Sequence, residues 1–275
     1  MLNSIAGGEG PGPDFERWRG WLGPLLGKIR LHAIEIRQTP GRPPEIAKRR
    51  RWFSHLLIGP INLFLRLLRS GVRVLPGAEW QARERALHRL LHGIELESCS
   101  RGWLVFPRWP GIVLADYART AIVPVPDRLR GLAAATRALQ ELHRFDLPGA
   151  DGVGERLSHG DATLRNVVFD PETGTARWFD FDTVHVPGLD AAWRQGDDLR
   201  ALIDSAVESF DDVPVSLILR TIQEAYTDPG PWEQLRARLA REGLHRSLLH
   251  RAQANPSPER RQALESLLLR GANLD

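Results

Sequence analysis

The amino-acid sequence predicts an α+β protein of two lobes, a small β-rich N-lobe and a larger helical C-lobe. Strand-like segments concentrate in the first ~110 residues, and helical periodicity dominates the remainder. The composition shifts around Pro107 to Gly111, which predicts the lobe boundary there. The expected division is a flexible tail at 1–13, an N-lobe at 14–108 with a basic, apolar insert at 49–76, and a C-lobe at 109–275.

Residues 1–13 are rich in Gly and Pro and lack the basic start and apolar run of a signal peptide. DFERWRGWLGPLLG (14–27) has the spacing of a short amphipathic helix. IRLHAIEIRQ (29–38) alternates like a strand, TPGRPP (39–44) is turn material, and EIAKRRRWF (45–53) reads as a second strand, so the three make a hairpin. In GAEWQARERALHRLLHG (77–93), Glu79, Arg83, Ala86, Leu87, Leu90 and Leu91 recur at helical spacing, and Gly93 is placed to stop the helix. RGWLVFPRW (101–109) is a short apolar strand ended by Pro107 and Pro110. IVLADYART (112–120) reads as the start of a helix, and DRLRGLAAATRALQELHRF (127–145) is a long helix rich in Ala, Leu and Arg. Helical patterns return at 190–210, 214–227, 231–253 and 257–271, and there is no internal repeat.

The 275 residues carry 42% hydrophobic and 26% charged side chains, the usual material of a globular core and surface. The net charge of +3 comes almost wholly from arginine, with lysine only at Lys28 and Lys48. One cysteine, Cys99, excludes an intrachain disulfide and fits a reducing, cytoplasmic setting; no neighbour activates it as a nucleophile. The longest apolar run, 56–68, is shorter than the ~18 to 20 residues of a membrane helix and is broken by Gly59, Pro60 and Arg66.

The chemistry-bearing segment is HGDATLRN (159–166) followed by FDFD (179–182). Between them, VVFD and ARWF are strand-like and DPETGT is a turn, so the stretch reads as a β-hairpin. A hairpin returns the chain to its starting point and brings Asp180 beside Asn166. An Asn and an Asp held together can share a hard divalent cation through oxygen. Phosphoryl transfer asks for such a cation, neutralised phosphate charge and an aligned hydroxyl. Asp161 is placed to orient the hydroxyl and accept its proton.

HGD-x4-N with a later Asp-Phe resembles the protein-kinase-like superfamily. The HGD form is closest to its small-molecule and atypical branch: aminoglycoside phosphotransferases, choline kinases and bacterial lipopolysaccharide kinases. The specific part spans residues 159 to 182. The resemblance implies a bilobal kinase-like fold that uses ATP and Mg²⁺, with Mn²⁺ as a substitute. It implies Asn166 and Asp180 as metal ligands. Asp182 stands where that family has Gly, either as a further ligand or as a helix N-cap. Arg165 either steadies the transferred phosphate or is a solvated loop residue, and His159 reads as a packing residue. Lys48, in EIAK, resembles the phosphate-binding lysine; its alternative is a solvated basic turn. Its helix partner would be Glu84 or, second, Glu79. Backbone near Phe106 to Arg108 would meet adenine, and Asp198 would brace the catalytic loop. No GxGxxG precedes Lys48.

The expected reaction is transfer of the γ-phosphoryl group of ATP to a hydroxyl of a sugar, glycolipid or other small molecule. A protein kinase is the alternative, although no Ala-Pro-Glu segment follows 182. A catalytically weak, nucleotide-binding or membrane-surface regulatory module is another. Asp197, Trp193 and His185 are candidates for the acceptor pocket. Residues 48–73 place Lys48, Arg49, Arg50, Arg51, Arg66, Arg69 and Arg73 around a Leu/Ile/Phe-rich centre. Such a segment either caps the N-lobe core with its arginines in water or lies on an anionic membrane, which would put the protein peripherally on the inner membrane face. Sparse aromatic interleaving argues against nucleic acid.

Overall fold

A computed structural model describes residues 31–38, 41, 44–100, 102–148, 154–242, 254 and 256–270. The expected tail, the 14–27 helix, most of the TPGRPP turn and the end of the 231–253 helix lie outside the described residues.

The chain begins with β1 (His32–Arg37), β2 (Glu45–Arg50), helix α1 (Ser54–Leu67), β3 (Val72–Val74) and helix α2 (Gly77–His92). It continues through β4 (Glu97–Ser100), β5 (Trp103–Pro107), β6 (Ile112–Val113), α3 (Leu114–Arg119) and α4 (Val125–Arg144). Next come β7 (Asp146–Pro148), β8 (Gly154–Arg156), β9 (Val167–Asp170), β10 (Thr175–Trp178) and β11 (Thr183–His185). Helices α5 (Ala191–Ser209), α6 (Val215–Ala225), α7 (Pro229–Glu242) and α8 (Pro258–Leu269) complete it.

An antiparallel sheet of order β1-β2-β5-β4 builds the first lobe. Helix α2 packs on it through Trp80, which joins Leu75, Leu96, Leu104 and Val184 in a small core. Gly93 ends α2 at φ 65°, where its missing side chain removes the left-handed penalty and its N–H donates to the Arg89 carbonyl at 3.0 Å. The second lobe is helical and holds the main core, with Leu114, Leu132, Leu139, Phe169, Phe181, Leu199 and Phe210 buried together. Each such side chain contributes about 1.5–3 kcal/mol by leaving water. The β9–β10 hairpin forms with Val167 opposite Trp178, and its turn closes by Gly174 donating to the Asp170 carbonyl at 2.8 Å.

The structure adds strands β3, β4, β6, β7, β8 and β11 and helix α1 to the elements expected from sequence. Ile112 and Val113 form β6 rather than opening the helix, because these β-branched residues complete the free edge of the hairpin opposite Phe169 and Val168. ESCS forms β4 against β5, a long-range pairing that its polar composition hides. The insert is ordered into α1 and β3. Asn62 locks them by donating to the Val74 carbonyl at 2.9 Å and accepting from the Val74 N–H at 2.7 Å. Strand β3 pairs antiparallel with β11, so the insert reaches the chain just beyond FDFD.

Candidate active site

Strand β2 carries Lys48 into the gap between sheet and helical lobe. Its ammonium donates to Glu84 Oε1 at 2.9 Å and to Asp180 Oδ1 at 2.5 Å. Burial works against the charge, but the Asp180 and Glu84 carboxylates outweigh it and hold the lysine pKa above its ordinary value. Glu84, fully buried on α2, accepts on Oε1 from three donors: Lys48, Trp80 Nε1 at 3.1 Å and the Phe181 N–H at 3.2 Å. Burial pushes its carboxyl up, Lys48 and His88 pull it down, and the net pKa lies well below the usual range. Glu79, the second choice from sequence, instead faces Arg73 at 3.1 Å on the half-exposed outer side of α2.

Asp198 on α5 fixes the HGD turn from below. It accepts from the His159 N–H at 2.6 Å and the Gly160 N–H at 2.8 Å. His143 Nε2 stands 3.0 Å from the same carboxylate. Burial raises the Asp198 pKa, but the His143 hydrogen bond and surrounding histidines bring it below the ordinary value. Gly160 has φ +88°, and a Cβ there would sit 2.6 Å from the Thr183 carbonyl oxygen. Glycine is therefore required for the turn to pass beneath β11. His159 is buried, with Nε2 3.0 Å from the Phe179 carbonyl and its ring against Trp178 and Phe181.

Past the turn, Asn166 Nδ2 donates to the Asp161 carbonyl at 2.8 Å and to Asp161 Oδ2 at 2.9 Å. Its amide oxygen is thereby turned away from Asp161. The Phe179 N–H donates to the Asn166 carbonyl at 3.0 Å, so the hairpin sets Asp180 one residue from that contact. Asp180 adopts φ +67°, an uncommon conformation for a residue with a side chain. Burial, then the Asp180 charge, pushes the Asp161 carboxyl up to about 6.

Asp182 is followed by β11, not by a helix, so the N-cap alternative falls away. Its carboxylate lies 3.5 Å from His32 Nδ1 and 3.8 Å from Arg50 Nη2. Burial and Asp180 push its pKa up to about 7. One ligand atom from each of His32, Asp180 and Asp182 falls within 4.8 Å of the other two. These two carboxylates and the imidazole form a donor set suited to Mg²⁺ or Mn²⁺, and the imidazole favours the latter. His32 carried no signal beyond its place in an alternating strand.

Arg165 is exposed and lies 3.7 Å from Glu208, although its charge still lowers the Asp161 pKa slightly. At the expected hinge, the Arg108 backbone contacts the residue just before β2. Its N–H donates to the Pro44 carbonyl at 2.9 Å and is spent on the fold. Phe106 sits opposite Ile46 in the sheet, with its ring 5.0 Å from that of His88.

A nearby surface was missed in the sequence. Residues directly opposite in an antiparallel pair share a face. Ile34 lies opposite Lys48, and Ile36 opposite Ile46. Ile34 and Ile36 are 71 and 61% exposed, so an open apolar patch adjoins Lys48 on the same side of the sheet. The alternation in HAIEIR was the available signal. His185 and Asp197, named for the acceptor pocket, are buried 3.3 Å apart. Arg238 donates to Asp197 at 2.8 Å and covers the Trp193 ring at 4.1 Å. This is an internal network.

No family model matches the chain, and no curated protein matches its sequence. Among solved structures, it is similar to the aminoglycoside phosphotransferase APH(2'')-Ib bound to ADP, at 13% identity and a TM-score of 0.45, over 90% of this chain and 95% of that one. It is also similar to a putative aminoglycoside phosphotransferase from Ralstonia eutropha JMP134, at 11% identity and a TM-score of 0.39, over 94% and 98% of the two chains.

Proposed function

We propose that this protein is a metal-dependent phosphotransferase that moves the γ-phosphoryl group of ATP to a hydroxyl of a sugar, glycolipid or other small molecule. The observation that carries the reading is the convergence of Lys48, Glu84 and Asp180 on one partly buried ion cluster beside the Asp161–Asn166 pair.

Lys48 binds the phosphates and is aimed by Glu84, whose other two donors keep it from turning away. Ile34 and Ile36 form the apolar cover for the adenine ring. Asn166, Asp180 and Asp182 would hold the divalent cation, which when bound would offset the charge of the phosphates. Asp161 orients the acceptor hydroxyl. Its proton passes to Asp161 as the acceptor oxygen bonds to phosphorus and the bond to the ADP oxygen breaks.

A screen of hydroxyl acceptors with labelled ATP and Mg²⁺ tests this. The purified protein should also hydrolyse ATP slowly, and Asp161→Asn should remove at least about 99% of either turnover. Equal background rates in wild type and Asp161→Asn would defeat the enzymatic reading.

A further inference from the structure

Helix α1 turns an apolar stripe to solvent. Leu56, Leu63 and Leu67 are spaced by seven and four residues, which places them on one side of the helix. They and Trp52, just before the helix, are between 60 and 75% exposed. The opposite side is committed: Ile58 and Leu65 are buried with Val72 and Val74 of β3, and Asn62 pins the helix to Val74. Arg49 and Arg51 precede the helix in the chain, and Arg66 and Arg69 stand at its C-terminal end; all four are exposed, and none makes a salt bridge to a described carboxylate. From Ile46 to Ala78 the chain has seven Lys and Arg residues and no Asp or Glu.

We propose that this face docks peripherally on an anionic lipid bilayer. Leucine and tryptophan side chains enter the headgroup–acyl boundary without a shaped pocket, and arginines around them meet lipid phosphates. Charge decides against a second copy of this chain, which would bring the same unopposed arginines face to face. Exposed Gly59 and Pro60 lie between Leu56 and Leu63 along this helix. No described helix is long and apolar enough to cross a membrane, so α1 would lie in the plane of the interface. The β3–β11 ladder then holds the docked face in a fixed relation to the segment carrying Asp180 and Asp182. The proposal stands independently of phosphoryl transfer.

The test is co-sedimentation of the full chain with phosphatidylcholine vesicles, with and without a large fraction of phosphatidylglycerol. Binding to the anionic vesicles should be at least about tenfold stronger and should weaken with added salt. Leu56→Glu with Leu63→Glu should reduce it at least about tenfold. Arg66→Glu with Arg69→Glu should reduce it about fivefold or more per arginine. All four positions are exposed, so thermal unfolding should stay near that of wild type; the arginine pair supplies an independent variant if the leucine pair misfolds. Absent binding, equal binding to both vesicles, or undiminished binding by a folded variant would overturn the proposal. So would a dimer that the leucine variant dissolves while vesicle binding is missing.

Discussion

Removing Glu84 should destabilise the protein more than any exposed substitution, because one oxygen of that residue serves three buried donors. In Glu84→Ala, Lys48 keeps only Asp180, while Trp80 Nε1 and the Phe181 N–H lose their acceptor. Breaking a buried ion pair from one side costs about 3–5 kcal/mol. Each orphaned neutral donor adds about 1–3 kcal/mol, but these losses overlap and the remaining Asp180 contact offsets part of them. The expected cost is therefore about 3–5 kcal/mol, a large share of the ~5–15 kcal/mol of a typical domain. Glu84→Gln retains an acceptor at Oε1 but gives up the charge and replaces the oxygen facing His88 with an amide donor, so it should cost less, about 1–3 kcal/mol. Urea unfolding followed by tryptophan fluorescence and circular dichroism measures both. Both variants should also bind nucleotide more weakly, since Lys48 loses its anionic anchor on α2 and is left with the Asp180 charge alone. A Glu84→Ala protein within about 1 kcal/mol of wild type would refute the three-donor account.

The remaining predictions concern the metal, the turn and acid stability. Asp180→Ala should abolish Mg²⁺-dependent nucleotide binding in calorimetry, and chelating the metal from wild type should do the same; an unchanged Kd would remove Asp180 from the ligand set. Gly160→Ala should cost about 2 kcal/mol or more, because it forces a left-handed backbone and places a Cβ 2.6 Å from the Thr183 carbonyl oxygen. A wild-type unfolding midpoint would contradict that geometry. Burial holds the His92 imidazole down at about 4 against an ordinary 6.5, so on acidification the unfolded chain takes up its proton first. Its stabilising contribution should be full above pH 6.5 and fade as pH falls toward 4, and His92→Asn should flatten that part of the stability profile. Parallel profiles for wild type and variant would count against it.

Local signals were legible where the chemistry is local. The turn residues of DPETGT, the strand character on either side and the stop at Gly93 are properties of neighbouring residues, and the corresponding elements formed within a few residues of the expected ends. Lys48 stood out by its isolation in an arginine-rich chain, and Glu84 by its helix. The buried side of α2 decided between Glu84 and Glu79, since the helical pattern left both at defensible positions. Where pairing spans long separations, the reading stopped short. ESCS acquires strand form only from β5, and Ile112–Val113 only from the hairpin some 55 residues later.

The HGDATLRN…FDFD segment, by itself, determined that Asp180 would return beside Asn166 at the foot of a hairpin, because hairpin closure is set by turn chemistry and strand alternation. Tertiary structure decided what surrounds them. It set Glu84 under three donors, spent the Arg108 N–H on Pro44, brought His32 to Asp182 and paired the insert's β3 with β11. Those contacts join residues far apart in the chain. They exist only once the sheet, α2 and the helical lobe pack together, and no local propensity encodes them.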